Sequence, residues 1–201
     1  MMKIETEQEL RALYKQPSER AAKKCLPRLD PHATRFIQRC PFAIIATYDS
    51  SGRLDASPRG GRPGFIHVVD EQTLLVPDAK GNNRLDSLTN ILQTGRIASL
   101  FLIPGMDETL RLNGHAEIRT DAELLVHFAS EKNPPISCIQ VHVEEVFLHC
   151  AKAFMRSRLW DNDTQIDRSE FPPLGQMLTD QLNIPNTESD EEMLERYKKE
   201  L

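Results

Sequence analysis

Lys80, Asn82, Asn83 and Arg84 stand close together in the run P-D-A-K-G-N-N-R. An apolar tetrapeptide, T-L-L-V, precedes the run, and an amphipathic stretch with Leu85, Leu88 and Ile91 on one helical face follows it. A strand that passes through a glycine turn into a helix start offers free backbone N–H groups and the positive end of a helix dipole. Arginine adds a fork of charge-assisted donors to the same place. The chemistry this predicts is recognition of a phosphate-like anion. A second cationic segment, S-P-R-G-G-R-P-G over residues 57–64, sets Arg59 and Arg62 among glycines and prolines. Only a short hairpin pattern separates the two segments, so both can serve one phosphorylated small ligand. Taken alone, each also has an ordinary structural reading. The first, in isolation, is more often a solvated helix start capped by asparagine, and the second is equally a turn.

Other polar positions are open in the same way. Asp78 suits either a hydrogen-bond acceptor for a ligand or an Asx-turn. Thr109, Arg111 and Asn113 alternate with Leu110 and Leu112, so in a strand they share one face, which lines a cleft or meets solvent. Lys152, Arg156 and Trp160 recur every four residues, as the wall of a site or as surface cations beside a packed tryptophan. His142 and Glu144 share a strand face while His149 has the other parity, so three metal ligands do not come into register and no metal is expected. His67, His115 and His127 have no evident serine or cysteine partner, and no catalytic acid or base is assigned.

The elements that would hold these residues are mostly strands. Thr6 and Glu9 form a capping-box pattern, Ser18 can cap a second helix, and Pro31 opens a third. Strands are predicted over residues 42–48, 53–57, 65–69, 73–76, 96–103, 109–118 and 136–150. Helices are expected at 83–93, 121–130, 152–160 and 174–182, with the last residues loosely held. Only one well-marked helix interrupts the first five strands, which favours an antiparallel barrel or sandwich over a doubly wound sheet.

A chain of 201 residues can bury a sizeable core. Its net charge of −5 argues against a general nucleic-acid binder and makes the cations above local features. No apolar run reaches the roughly 20 residues a bilayer requires, and no secretory h-region is present. Cys25, Cys40, Cys138 and Cys150 are widely spaced, with no C-x-x-C, so free thiols and a cytoplasmic location are expected.

The order strand, S-P-R-G-G, strand, P-D-x-x-G-N-N-R, helix, R-I-A-S-L-F-L-I-P and E-T-L-R-L-N-G-H-A-E-I resembles the FMN-binding split-barrel proteins related to pyridoxamine 5'-phosphate oxidase. The resemblance covers residues 41–145 and extends more weakly to Trp160. It is nearest to the subgroup of FMN-dependent enzymes whose substrates are mostly unknown. It implies a mainly β chain: an antiparallel split β-barrel with peripheral helices. Residues 1–40 would be a helical extension packed on the barrel, 41–160 the FMN-binding barrel, and 161–201 a tail with short helices.

The resemblance further implies a homodimer with FMN at the subunit interface, and an oxidoreductase acting on a small molecule. Asn82, Asn83 and Arg84 fall where relatives usually read Ser-Arg-Lys and hold the cofactor phosphate, and Lys80 can replace the missing cation. Ser57 and Arg59 would meet the phosphate or ribityl chain, with Arg62 the alternative to Arg59. Pro77 and Asp78 would face the isoalloxazine edge. Thr109 and Arg111 would reach the flavin held mainly by the other subunit, and Arg156 and Trp160 would wall the site. The R-L-H-x-R pattern of authentic pyridoxamine 5'-phosphate oxidases is missing after Trp160, which disfavours that activity. The alternative within the family is a non-enzymatic flavin- or haem-binding protein, with His67, His142 or His149 as the axial candidate.

Overall fold

A computed structural model describes residues 3–185 and 187–200. Three helices come first: α1 (Glu7–Leu13), α2 (Glu19–Lys23) and α3 (Pro31–Arg39). Thr6 and Glu9 close the capping box on α1, and Ser18 caps α2. Asp30 caps α3, accepting from the Ala33 N–H at 2.7 Å, while Pro31 fills the first turn, where no N–H is needed. Ala33, Phe36 and Ile37, spaced as one helical face, are buried in the main core.

Seven strands form one antiparallel sheet: β1 (Phe42–Tyr48), β2 (Leu54–Gly60), β3 (His67–Val68), β4 (Thr73–Pro77), β5 (Arg96–Leu102), β6 (Thr109–Arg119) and β7 (Cys138–His149). Their order is β2-β1-β5-β6-β7-β4-β3, so β2 and β3 are the edges. Alternation on β1 turns Ala43, Ile45 and Thr47 inward, and the sheet register aligns them with Arg59, Ser57 and Asp55 of β2. Helix α4 (Asp86–Thr94) joins β4 to β5 and adds Ile91 to the core. Leu74, Leu75 and Val76 are all buried, because β4 is covered on both faces. Leu74 and Val76 meet the main core, and Leu75 packs with Cys138 and Phe128 beneath α5 (Ala122–Leu125) and a 3-10 turn, Val126–Phe128.

A bulge interrupts β6–β7: Asn113 faces Glu145 and Gly114 faces Val143, leaving Glu144 as the extra residue. This slip corrects the parity argument for the histidines. His149 pairs with Thr109 and His142 with His115, so both histidines lie on the outer face of the sheet. Seven residues of strand still hold them roughly 20 Å apart.

Three helices complete the chain: α6 (Lys152–Ser157), α7 (Leu174–Leu182) and α8 (Asp190–Glu200). The expected helix to Trp160 stops early, because Arg158 takes a left-handed φ of 53°. Trp160 therefore leaves the helix face of Lys152 and Arg156. Its indole N–H donates to the Met106 carbonyl at 3.0 Å and its ring stacks on Phe154. Within the tail, residues 190–200 form α8, which buries none of its side chains and whose first turn is acidic and last turn basic, as the helix dipole favours.

Candidate functional site

Two clefts collect the predicted residues, on opposite faces of the sheet. The larger, about 1070 Å³, opens at the free edge of β2. Ser57 and Arg59 form its floor, residues 77–88 one wall, and residues 132–136 the other. Ser57, Arg59, Pro77, Asp78, Lys80, Asn82, Asn83 and Arg84 all line it, so residues from two distant segments meet there. Arg62 does not line it.

Arg59 is half-buried, and its guanidinium donates to Ser57 Oγ and to the Pro58 carbonyl on its own strand. Among the described residues it has no carboxylate within ion-pair distance. Burial pushes its pKa down, while Asp78 and Asp55 pull it back from further away. Burial also raises the Asp78 carboxyl, opposed by Arg59 and by a hydrogen bond from Ser137. A cation withdrawn from water without a counter-ion favours an incoming anion.

The wall opposite carries backbone donors. Helix α4 begins later than expected, at Asp86, with Leu85 at the N-cap and no side-chain cap. Asn83 and Leu85 take φ values of 60° and 59°, so left-handed residues stand on either side of Arg84. Leucine seldom adopts this conformation, and the loop holds it there beside uncapped helix donors. Asn82 Oδ1 accepts from the Arg84 N–H at 3.1 Å, which is the Asx-turn geometry. The Arg84 side chain is exposed, with its Nε on Asp86 at 2.7 Å. Lys80 is engaged by Glu200 at 3.0 Å.

Two hydrogen bonds that the sequence did not disclose fix α4 against the sheet. Ser87 Oγ donates to Asp55 Oδ2 at 2.6 Å, and buried Asn90 Nδ2 donates to Thr47 Oγ1 at 3.0 Å. They set the helix start beside Arg59. Asp55 was within reach of sequence reasoning, since it shares strand parity with Ser57 and Arg59. Ser87 and the 132–136 wall had no comparable signal.

The second cleft, about 390 Å³, lies on the outer face. The register sets Ile44, Leu100 and Arg111 side by side, and Ala46, Ala98 and Asn113 in the next row. Thr109, His149 and Phe154 complete it, so Thr109 and Arg111 do share a cleft wall. Arg111 lies over the Phe147 ring, 5.0 Å from its centroid. Burial, then the charges of Lys24 and Arg111, lower the His149 pKa. Arg156 is exposed on α6 and lines neither cleft; nor does Trp160, whose ring stacks on Phe154 of the outer cleft.

A family model described as pyridoxamine 5'-phosphate oxidase matches residues 29–150, more than half of the chain. The chain belongs to the pyridoxamine 5'-phosphate oxidase family. The match takes in α3 and all seven strands, and so the whole larger cleft and the strand residues of the outer one. A histidine-to-alanine variant of HupZ from Group A Streptococcus is similar in structure, with a TM-score of 0.50 at 19% identity, covering 60% of this chain and 98% of that one. Unsubstituted HupZ gives 0.49 at 22%, covering 60% and 93%. HutZ, the haem storage protein from Vibrio cholerae, gives 0.40 at 13%, covering 60% and 94%. At these identities the likeness is one of fold. No curated protein matches the chain in sequence. No helix of the described residues is long and apolar enough to cross a membrane.

Proposed function

We propose that this family member is an FMN-binding split-barrel flavoprotein, a homodimer that oxidises or reduces a small molecule through its flavin. The observation that carries the reading is Arg59, half-buried and, among the described residues, without an ion pair, facing the uncapped start of α4 across one cleft. The residues present fit the cofactor. Arg59 and the backbone donors around residues 83–86 suit its phosphate, Ser57 a ribityl hydroxyl, and the Asp78 carboxylate a ring N–H. The cleft is at the upper end of the size range of ligand pockets. FMN, when bound, supplies the electron chemistry; the chain binds, orients and shields it.

The two faces support the dimer. Arg59 points to the inner side of the sheet and Arg111 to the outer side, so one chain cannot bring both to one ligand. A second copy can lay its outer cleft, with Thr109 and Arg111, over the open mouth of the first. A cation there stabilises negative charge on a reduced ring.

Purified protein is expected to be yellow, to release one FMN per subunit by mass, and to sediment as a dimer. A stable monomer at low micromolar concentration that still holds FMN would remove the dimer. A Soret band without flavin absorption would favour the haem-binding alternative, with His149 the axial candidate in an apolar-floored cleft.

Pyridoxamine 5'-phosphate is expected to turn over little or not at all. Of the cations after Trp160, Arg196 is held bidentately by Glu188, and Arg168 donates to the carbonyls of Phe171 and Pro172. A substrate phosphate would then find neither of these arginine forks ready to receive it. Robust conversion to pyridoxal 5'-phosphate, abolished by Arg156→Ala, would show that α6 supplies the clamp.

A further inference from the structure

Helix α8 bridges the two walls of the larger cleft, holding residues of both. Glu200 takes Lys80 of the first wall at 3.0 Å. From the second wall, Lys132 Nζ donates to the Lys198 carbonyl at 3.0 Å, and Asn133 Nδ2 to the carbonyls of Lys199 at 3.3 Å and Glu200 at 3.0 Å. These carbonyls belong to the last turn of a helix, where no intrahelical donor remains and the dipole is negative.

Two features make this hold releasable. None of the described residues of α8 is buried, so no apolar seat anchors it. The Lys80 side chain is 64% exposed and that of Glu200 24%, so water reaches the pair from the lysine side, and solvent-screened ion pairs contribute only about 0–1 kcal/mol. Lys80 is also one of the cations lining the cleft, so Glu200 competes with any phosphate for the same ammonium.

We propose that α8 is an anion-released latch: phosphate binding in the cleft takes Lys80 from Glu200, and α8 lets go of both walls. This rests on the reading of the cleft as a phosphate site, and it adds the regulation of that site. By linkage, whatever docks α8 weakens the anion, and the anion undocks α8 by the same factor.

The test uses the full chain and Glu200→Gln, a conservative change that keeps the size of this partly buried side chain, with inorganic pyrophosphate as a probe independent of the flavin. Glu200→Gln is expected to bind pyrophosphate about three- to fivefold more tightly than the unsubstituted chain. Saturating pyrophosphate is expected to speed backbone hydrogen exchange across residues 190–200 in the unsubstituted chain, and to do so less in the variant, which is already released. Equal affinities, or exchange in α8 that ignores the probe, overturns the latch. Binding to neither protein also overturns it, since there is then no anion site to gate. FMN binding measured in parallel separates the two ideas: equal FMN affinity in both proteins rejects the latch and leaves the cofactor reading standing, whereas absence of FMN binding with a pyrophosphate-sensitive α8 rejects FMN and keeps the latch.

Discussion

Arg59→Ala is expected to weaken FMN binding about ten- to a hundredfold, more than loss of any other cation in the cleft. A hydrogen bond to a charged group is worth roughly 1.5–3 kcal/mol, and each 1.4 kcal/mol is a factor of about ten. Arg59 should lie at the upper end, because it is half-buried and, among the described residues, no carboxylate neutralises it at close range. Arg84→Ala should cost only a few-fold, since that guanidinium is exposed and already on Asp86. Arg62→Ala should cost little, because Arg62 does not line the cleft. Flavin fluorescence titrations with FMN and riboflavin check the order. If Arg59→Ala loses FMN and riboflavin equally, Arg59 serves the ring and not the phosphate.

Gly114→Ala is expected to cost stability of about 3 kcal/mol or more. Gly114 sits at the bulge between β6 and β7, and a Cβ there would run into the His142 carbonyl oxygen. The obstacle is backbone in the middle of the sheet, not the end of a flexible side chain, so the two longest strands must part locally. For a chain of this size the loss corresponds to a melting temperature lower by about 6–12 °C. An unchanged melt would mean that β7 can shift away freely. The consequence for the site is direct, because Arg111 and Asn113 precede the bulge and depend on that register for their place in the outer cleft.

These two residues also mark how far the sequence reaches. Apolar alternation and local turn chemistry are written in neighbouring residues, so β1, the β1–β2 turn around Asp49–Gly52 and the start of α3 followed from the chain alone. The anion-binding character of residues 57–59 and 77–84 was legible for the same reason: cations, amides and glycines cluster there in sequence. The Gly114 bulge was not legible, since it depends on which residue of β7 meets it. A parity argument carried through it sent His149 to the wrong face.

What the sequence by itself determined is a mainly β chain with a cationic strand-to-helix turn and a second cationic segment upstream. Only the tertiary structure decided which of those cations are available. Arg59 and Arg62 are equivalent as letters, but strand register turns Arg59 inward with Ala43 and into the cleft. Lys80 reads as a free cation until α8, more than a hundred residues later, places Glu200 on it. Thr109 and Arg111 share a face by simple alternation, yet only the strand order puts that face behind the sheet from Arg59. Charge and periodicity are local properties, whereas desolvation and counter-ion pairing depend on what distant segments bring alongside.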